Sequence, residues 1–488
     1  MNRPMHRRPI RYLSAFCMVL VLNLVAFPVS GHSFGVRYDL PLALKFYLAG
    51  AGATVALSFL VMALFLGRRG FHSEFPRIEL SPIPVIGRLA RPLTLTLIQT
   101  FSVVLFVLIL TACFAGDTNP FSNIAPTFVW VIWWVGMAFI SVLFGDLWAL
   151  VNPWTILFTL ARRRSGEAPS RQSYPARLGH WPALILLLAF AWLELISDLG
   201  ENPRILGLLI VMYSTVTWSG MAIFGRDVWL RNAEVFSVVY GLLARFAPTV
   251  VEAGRWWLRF PAIGLLTRRP LGFSMVCFVL LLLTTVTFDG FLETPLWAGI
   301  LDWIAENRSL RPGLILLQNA GFNLIILIKS AALLVLPVVF IGVYFLIAQL
   351  IAWCGGGSLS SVEIAGYFVL SLVPIAIAYH LSHYLSYLLI AGQNIIPLAS
   401  DPFGAGWDLF GTAGYRIDIG IVNAKLVWNV AVIAIVIGHV IAVYIAHVTA
   451  LRVFPDRTRA LWSQAPMLVL MVTYTMISLW ILSQPIIS

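Results

Sequence analysis

Ten long apolar segments constrain the fold of this 488-residue chain more than any other feature. A helix needs roughly 20 apolar residues to cross the hydrocarbon core of a bilayer. Runs of about this length occupy residues 41–66, 93–115, 127–150, 181–200, 204–224, 271–290, 322–352, 364–391, 426–449 and 465–486. Charged residues make up 11% of the chain, whereas soluble proteins carry about 25%. We therefore predict an all-α, polytopic integral membrane helix bundle with about ten transmembrane helices.

A signal-like segment precedes the first span. Residues 1–31 combine a basic start with an apolar run up to Val29. Val29 and Gly31 are small or apolar residues that suit signal peptidase. Cleavage would leave His32 as the new N-terminus, and an uncleaved signal anchor is the alternative. Residues 32–488 are predicted to form a single transmembrane helical domain.

Arginine is concentrated in alternate linkers between the spans. The Arg-rich linkers cover residues 68–91, 162–177, 226–269 and 452–459. The positive-inside rule places them in the cytoplasm of a bacterial cell, with the protein in the inner membrane. Linkers 116–126, 201–203, 291–313 and 392–424 and the C-terminus are then predicted to be periplasmic. Linker 353–363 carries no arginine and is placed in the cytoplasm by its order alone. The net charge of +11 belongs to these linkers and does not indicate nucleic acid binding.

Three local features carry further structural predictions. Residues 314–352 are too long for one straight span, and we predict one span with an interfacial start rather than two spans. Asn232–Phe246 has helical apolar spacing, typical of a helix on the cytoplasmic surface. Tryptophan at span ends predicts interfacial belts. The tryptophans in question are Trp130, Trp133, Trp134, Trp148, Trp154 and Trp353.

A group of histidines is the main candidate for chemistry. His380 and His383 are three residues apart in an apolar helix, and this spacing predicts that they share one partner. On the predicted topology His439 approaches them at mid-depth, Asp289 closes a neighbouring helix, and His32 starts the outer segment. Imidazoles with a carboxylate suit a divalent transition metal of the zinc or copper type. The predicted metal ligands are thus the four histidines, with Asp289 as a further ligand or base.

The helix with the two histidines breaks at Gln393 and continues into the loop Ser400–Thr412. This loop contains Asp401 and Asp408 among glycines that permit turns. Asp401 is predicted as a ligand or base, in a lid over the histidines. The alternative is an ordered loop in which both aspartates only cap the backbone.

Other ionisable groups lie inside or beside the spans. Asp146 precedes Pro153, and we expect it to satisfy freed backbone groups or to pair with arginine. Glu194 and Asp198 are one turn apart and face either a polar cavity or the headgroups. Lys329 lies deep in its span and requires a carboxylate or carbonyl partner.

Several alternatives remain open at this stage. In one alternative the histidines serve only in hydrogen bonds between helices, and in another two of them hold a haem. The same His and Asp groups would also serve an ion or solute transporter, or a non-catalytic membrane subunit that binds metal for a partner. The four cysteines are far apart and lack metal-binding spacing.

Several sequence blocks together resemble a family of bacterial polytopic membrane proteins labelled fenitrothion hydrolase. The blocks are PTFVWVIWWVGMAFISVLFGDLWALVNPW, FDGFLETP, YHLSHY with the following GQ, SDPFGAGWDLFGT, and GHV with the following AH. The resemblance implies hydrolysis of a small apolar organophosphate triester at the membrane, together with a second membrane subunit. The positions that it carries over are Asp146, Asp289, His380, His383, Gln393, Asp401, Asp408 and His439. Whether the chain is an enzyme is left open by the residues alone.

Overall fold

The computed structural model describes residues 40–66, 75–165, 172–454 and 456–487. The predicted signal segment (residues 1–31) and His32 lie outside these residues. The described helices are, in chain order, α1 (Leu44–Phe65), α2 (Pro84–Leu89), α3 (Pro92–Ala115), α4 (Ile124–Phe144, π-helical over Thr127–Val135), α5 (Trp148–Val151), α6 (Pro153–Ser165), α7 (Trp181–Leu195), α8 (Pro203–Phe224), α9 (Arg226–Asn232), α10 (Val235–Ala244), α11 (Phe273–Leu292), α12 (Pro295–Glu306), α13 (Arg311–Asn319), α14 (Leu324–Cys354), α15 (Ser361–Phe368), α16 (Val373–Ala391), α17 (Ile395–Ser400), α18 (Ala424–Val453), α19 (Arg457–Ser463) and α20 (Ala465–Ile487).

The predicted multi-pass helix bundle is confirmed. Ten helical segments of the described chain are long and apolar enough to cross a membrane. They correspond in order to the ten apolar runs of the sequence. The doubtful region 314–352 contains one spanning helix, α14, with Pro337 inside it, preceded by the separate short helix α13. The prediction of one span with a distinct start is therefore correct.

Helices α11 and α16 form the centre of the bundle. Side chains of α11 are buried on every side from Ser274 to Phe288. Helix α11 packs against α7, α14 and α16, and α16 packs in turn against α18. Helices α1, α3 and α14 keep wide apolar faces exposed, as expected for helices that meet lipid. Residues of α11 and α16 therefore meet in the interior of the protein.

Helices α16 and α18 approach each other closely at Gly438. A Cβ atom at Gly438 would lie 2.5 Å from the Cβ of Ala378 and 2.8 Å from the carbonyl oxygen of Pro374. Small residues let membrane helices pack backbone to backbone, where dispersion replaces the hydrophobic effect as the attractive force. This contact fixes the rotation of α18 relative to α16, and with it the direction in which His439 points.

The prediction of a surface helix at Asn232–Phe246 is wrong. Its helical core, α10, buries eight of its ten residues among α4, α5, α7 and α9. Glu234, at the N-cap of α10, is fully buried and accepts hydrogen bonds from the backbone N–H groups of Phe236 (3.1 Å) and Ser237 (2.8 Å). The apolar spacing is real, but it faces protein on all sides instead of headgroups.

Several of the tryptophans assigned to interfacial belts belong to the protein interior. Trp134, Trp148 and Trp154 are at most 7% exposed. Their rings pack against Phe236 and Tyr240 of the buried helix α10, edge to face or tilted for Trp134 and Trp148, and stacked for Trp154 on Phe236. Trp353, in contrast, is 77% exposed at the end of α14. The three buried indoles therefore serve as core, since burial of a large aromatic ring contributes more than interfacial placement.

A small antiparallel sheet marks one end of the bundle. Strands β1 (Arg77–Glu79), β2 (Thr249–Glu252) and β3 (Arg255–Arg259) pair in the order β1-β3-β2. An ion pair of 2.8 Å joins Arg77 to Glu252. We call this the sheet end. The opposite end, formed by linkers 293–323 and 392–423, is called the loop end.

Candidate functional site

An imidazole–carboxylate pair lies between the two central helices. His383 Nε2 of α16 is 2.7 Å from Asp289 Oδ2 of α11, and the hydroxyl of Tyr384 donates to the same oxygen over 3.1 Å. The pair lies near the loop end, because Asp289 is three residues before the end of α11 at Leu292. A carboxylate inside an apolar bundle needs such partners, since an unpaired one would be strongly destabilising.

Gly290 makes room for this pair. A Cβ atom there would lie 2.7 Å from Ile481 of α20, 3.6 Å from the hydroxyl of Tyr379 and 4.0 Å from Nδ1 of His383. Because position 290 lacks a side chain, α20 and α16 can both close on α11 beside Asp289. The side chains of His383 and Asp289 nevertheless keep 19% and 28% of their surface exposed. A water-sized molecule can therefore reach the pair.

A second carboxylate lies across the site from Asp289. Glu194, near the end of α7, accepts a 2.7 Å hydrogen bond from Nε1 of Trp134 in α4. Glu194 and Asp289 repel each other electrostatically, and both act on the phenol of Tyr384. The expectation that Glu194 faces a polar site inside the bundle agrees with this arrangement. Asp198, in contrast, lies in the exposed turn that follows α7.

His380 and His383 do not share a partner, contrary to the prediction from their spacing. Residues three apart on a helix differ by about 60° in direction, because each residue turns the helix by about 100°. His383 therefore points to α11, whereas His380 lies against Val135 and Phe139 of α4. The Nε2 atom of His380 is buried without a hydrogen-bond partner among the described residues. The ring of Tyr384 packs against both imidazoles, at 4.8 Å and 4.9 Å between centroids.

His439, the third predicted histidine, belongs to a different helix contact. Its Nδ1 atom lies 2.8 Å from the carbonyl oxygen of Ile435, one turn earlier in α18. Its ring packs against Tyr474 of α20, whose hydroxyl is 2.7 Å from the hydroxyl of Thr287 in α11. The predicted convergence of His439 with the histidines of α16 is therefore not what the structure shows.

The predicted metal centre is not assembled by the residues that the structure describes. Across these residues, no three His, Cys, Asp or Glu side chains come close enough together to hold a metal ion. His383 and Asp289 provide two donors, and Nε2 of His380 points elsewhere. His32, the remaining predicted ligand, lies outside the described residues. This donor set does not fit a zinc-type site, which needs at least three protein ligands, and no chemical step is derived from a metal below.

The aspartates of the 392–424 loop organise its backbone. Asp401 accepts hydrogen bonds from the N–H groups of Ala405 (2.9 Å) and Gly406 (2.7 Å). Burial acts to raise the pKa of Asp401, but four backbone N–H donors outweigh it and hold the pKa below its ordinary value. Asp408 caps the N–H of Ala413 in the same way. These contacts match the alternative in which the aspartates are structural, and they do not support Asp401 as a base.

Gln393 joins this loop to α16 with all of its hydrogen-bonding capacity. Its Oε1 atom accepts from the hydroxyl of Tyr415 and the N–H of Asp418, and its Nε2 atom donates to the carbonyls of Leu389 and Asp418. The side chain thus supplies hydrogen bonds at the point where the backbone hydrogen bonds of α16 end. Its role is to hold the loop over the end of α16.

Two further predicted residues lie away from the pair. Asp146, at the sheet end, accepts a 3.0 Å hydrogen bond from the N–H of Ala149, which agrees with its expected role at a helix break. Lys329 is half-buried in α14, and among the described residues it has no ion pair or hydrogen bond. Neither the expected carboxylate partner nor a carbonyl partner of Lys329 is therefore present in the described part of the chain.

The sequence reasoning missed Tyr384 and the role of Trp134. Tyr384 directly follows His383, so the motif YHLSHY contained the signal that a phenol accompanies the imidazole. Trp134 carried no such signal, because it is one of three tryptophans within the five residues from Trp130 to Trp134. Comparison with protein-family models, curated proteins and solved structures gave no match to this chain. The site therefore has to be interpreted from its own geometry.

Proposed function

We propose that this multi-pass membrane protein is a hydrolase of small apolar organophosphate triesters, with His383 as its general base. The observation that carries the proposal is the 2.7 Å contact between His383 and Asp289 in a site that water can reach. An imidazole held by a carboxylate is the usual arrangement of a general base that activates water. The sequence resemblance to the fenitrothion hydrolase family supports the same class of substrate.

The hydrogen bonds of the pair indicate which atom of His383 acts as the base. Tyr384 already donates its proton to Asp289, so the carboxylate acts as an acceptor, and Nε2 of His383 donates to it as well. Nδ1 is then the only acceptor left on the ring. It takes a proton from water while the water oxygen forms a bond to phosphorus. The bond from phosphorus to the aryloxy oxygen breaks, the leaving group keeps the electron pair, and the imidazolium releases its proton to solvent.

Apolar surroundings fit this substrate class. Uncharged triesters partition into the bilayer, and a site within the spans receives them without transfer through water. The carboxylate of Asp289 stabilises the imidazolium that forms on His383 during the reaction. It also disfavours an anionic diester product beside it, which helps the product leave.

A direct assay tests the proposal. We expect purified wild-type protein in lipid nanodiscs to release the coloured phenolate from a nitrophenyl dialkyl phosphate. His383→Gln should lower kcat/KM by about 10²–10⁴, the usual contribution of a general base. His180→Gln, at the sheet end, is the matched control and should retain full activity. Absence of turnover by the wild type, or full activity of His383→Gln, would refute the proposal.

The same preparation tests the transport alternative. Intramembrane carboxylates and imidazoles also serve proton pathways, and the Glu194–Asp289–His383 group has the required chemistry. If vesicles containing the protein carry a proton flux that Asp289→Asn abolishes, and no triester is cleaved, the site is a transport site. A protein without either activity would indicate the non-catalytic subunit.

We further propose that the loop end and the C-terminus face the periplasm of a bacterial inner membrane. The Arg-rich linkers at the sheet end support this orientation through the positive-inside rule. In a variant without native cysteines, Asp408→Cys should react with a membrane-impermeant maleimide in intact spheroplasts. Arg255→Cys, which is also exposed, should react only after lysis. The reverse labelling pattern would invert the topology.

A further inference from the structure

A large apolar cavity lies beside the candidate site and is not part of it. Its volume is about 340 Å³. Helices α3, α4, α6, α7, α8 and α10 contribute to its wall, in part through the aromatic side chains of Phe106, Trp133, Trp154, Phe190, Tyr213 and Phe236. A cavity of about 150 Å³ lined by apolar side chains is enough to bind benzene. The cavity therefore has room for a molecule of about two aromatic rings.

The cavity opens sideways into the bilayer. Three of the residues that line it are exposed on the surface of the bundle: Phe101 of α3, Ala189 of α7 and Met212 of α8. Each lies well inside its helix, at least six residues from either end. The opening thus faces the hydrocarbon region, and a ligand reaches it from the lipid.

The aromatic walls favour an aromatic occupant over an acyl chain. The rings around the cavity meet edge to face, for example Trp133 with Phe236 at 4.5 Å and Trp154 with Tyr213 at 5.1 Å. Such walls offer ring faces and edges that complement another ring. Trp148 adds a further ring to this wall and is 3% exposed. A flat aromatic molecule can meet these rings face to face or edge to face, whereas a flexible acyl chain offers no such complement.

We propose that this cavity is a binding site for small, uncharged aromatic molecules that arrive from the bilayer. The proposal does not depend on hydrolysis, because the cavity would bind such molecules whatever the activity of His383. One indole separates the two sites. Trp134 packs against Phe190 of the cavity wall, with centroids 4.6 Å apart, and donates its N–H to Glu194 on its other side.

Quenching of tryptophan fluorescence by 2-bromonaphthalene tests the proposal in protein-containing nanodiscs. Trp130, Trp133, Trp148 and Trp154 line the cavity, which is 4 of the 18 tryptophans in the chain. We expect a saturable loss of about a fifth of the emission, because only quenchers bound within contact of these indoles act in this way. Ala189→Phe should block the opening and raise the apparent Kd at least tenfold.

Ala331→Phe is the matched control for Ala189→Phe. It places the same ring on the exposed face of α14, away from the cavity, and this variant should bind 2-bromonaphthalene as the wild type does. Quenching that is linear and equal in all three proteins would show only partition into the lipid and would overturn the proposal. A phospholipid with brominated acyl chains tests the other occupant. If it quenches strongly, if Ala189→Phe abolishes this quenching and if naphthalene does not displace the lipid, the occupant is an acyl chain. This outcome would also overturn the proposal.

Discussion

Combining Asp289→Asn with His383→Gln should cost no more activity than either change alone. Asp289 is a positioning residue that acts through His383, to which it is joined over 2.7 Å. Each single change should lower kcat/KM for a triester by about 10²–10⁴. Once the imidazole is lost, the carboxylate has nothing to orient, so the second change adds little. Groups that act as a unit show this strong non-additivity.

The measurement is a double-mutant cycle on kcat and KM separately. We expect the loss to fall on kcat, because the base and the residue that orients it act on the attacking water in the transition state and not on the binding of the triester. Asp302→Asn is the matched control, since Asp302 is an exposed carboxylate on α12 at the same end of the bundle. Additive losses, or a loss confined to KM, would mean that the two side chains contribute independently and would contradict the proposed pair. Thermal unfolding of each variant separates this result from misfolding.

Hydropathy was sufficient to locate the spans in the sequence, but it could not predict how each helix is rotated about its own axis. The ten apolar runs fix which residues cross the membrane because length and composition alone decide that. They also place both side chains in the half of the bundle towards the loop end, since Asp289 lies three residues and His383 eight residues before the ends of α11 and α16. The rotation of each helix about its axis depends on packing, such as the contact of Gly438 with Ala378. Sequence alone could not show that His439 turns towards Tyr474 and away from His380.

The same limit explains the error at α10. A ten-residue apolar helix is too short to cross a bilayer, so its pattern suggests a helix on the membrane surface. The structure instead inserts it into the bundle, where Phe236 and Tyr240 meet the tryptophans of α4 and α5. Glu234 at its N-cap was the available signal. A carboxylate at the start of an apolar helix is stabilised by the helix dipole, and its full burial requires partners on other helices.

Among single substitutions of polar side chains at the start of α10, Glu234→Ala is expected to be the most destabilising. Glu234 accepts hydrogen bonds from the two backbone N–H groups at the start of α10. It also accepts hydrogen bonds from the hydroxyl of Tyr213 and from the side-chain amide of Asn152, the latter over 3.4 Å. Alanine would leave these donors unpaired in the interior, and each orphaned group costs about 1–3 kcal/mol. We expect a loss of about 3–6 kcal/mol in the free energy of unfolding, after partial relaxation.

Denaturant titration in detergent, followed by tryptophan fluorescence, measures this loss. Glu234→Gln keeps one acceptor oxygen and should cost less, about 1–3 kcal/mol. Glu252→Ala removes a carboxylate of the exposed ion pair with Arg77 and is the matched control, with an expected cost below about 1 kcal/mol. If Glu234→Ala were as stable as Glu252→Ala, the buried carboxylate would not anchor α10. The insertion of α10 would then rest on its aromatic packing alone, since no other side chain caps the start of this helix among the described residues.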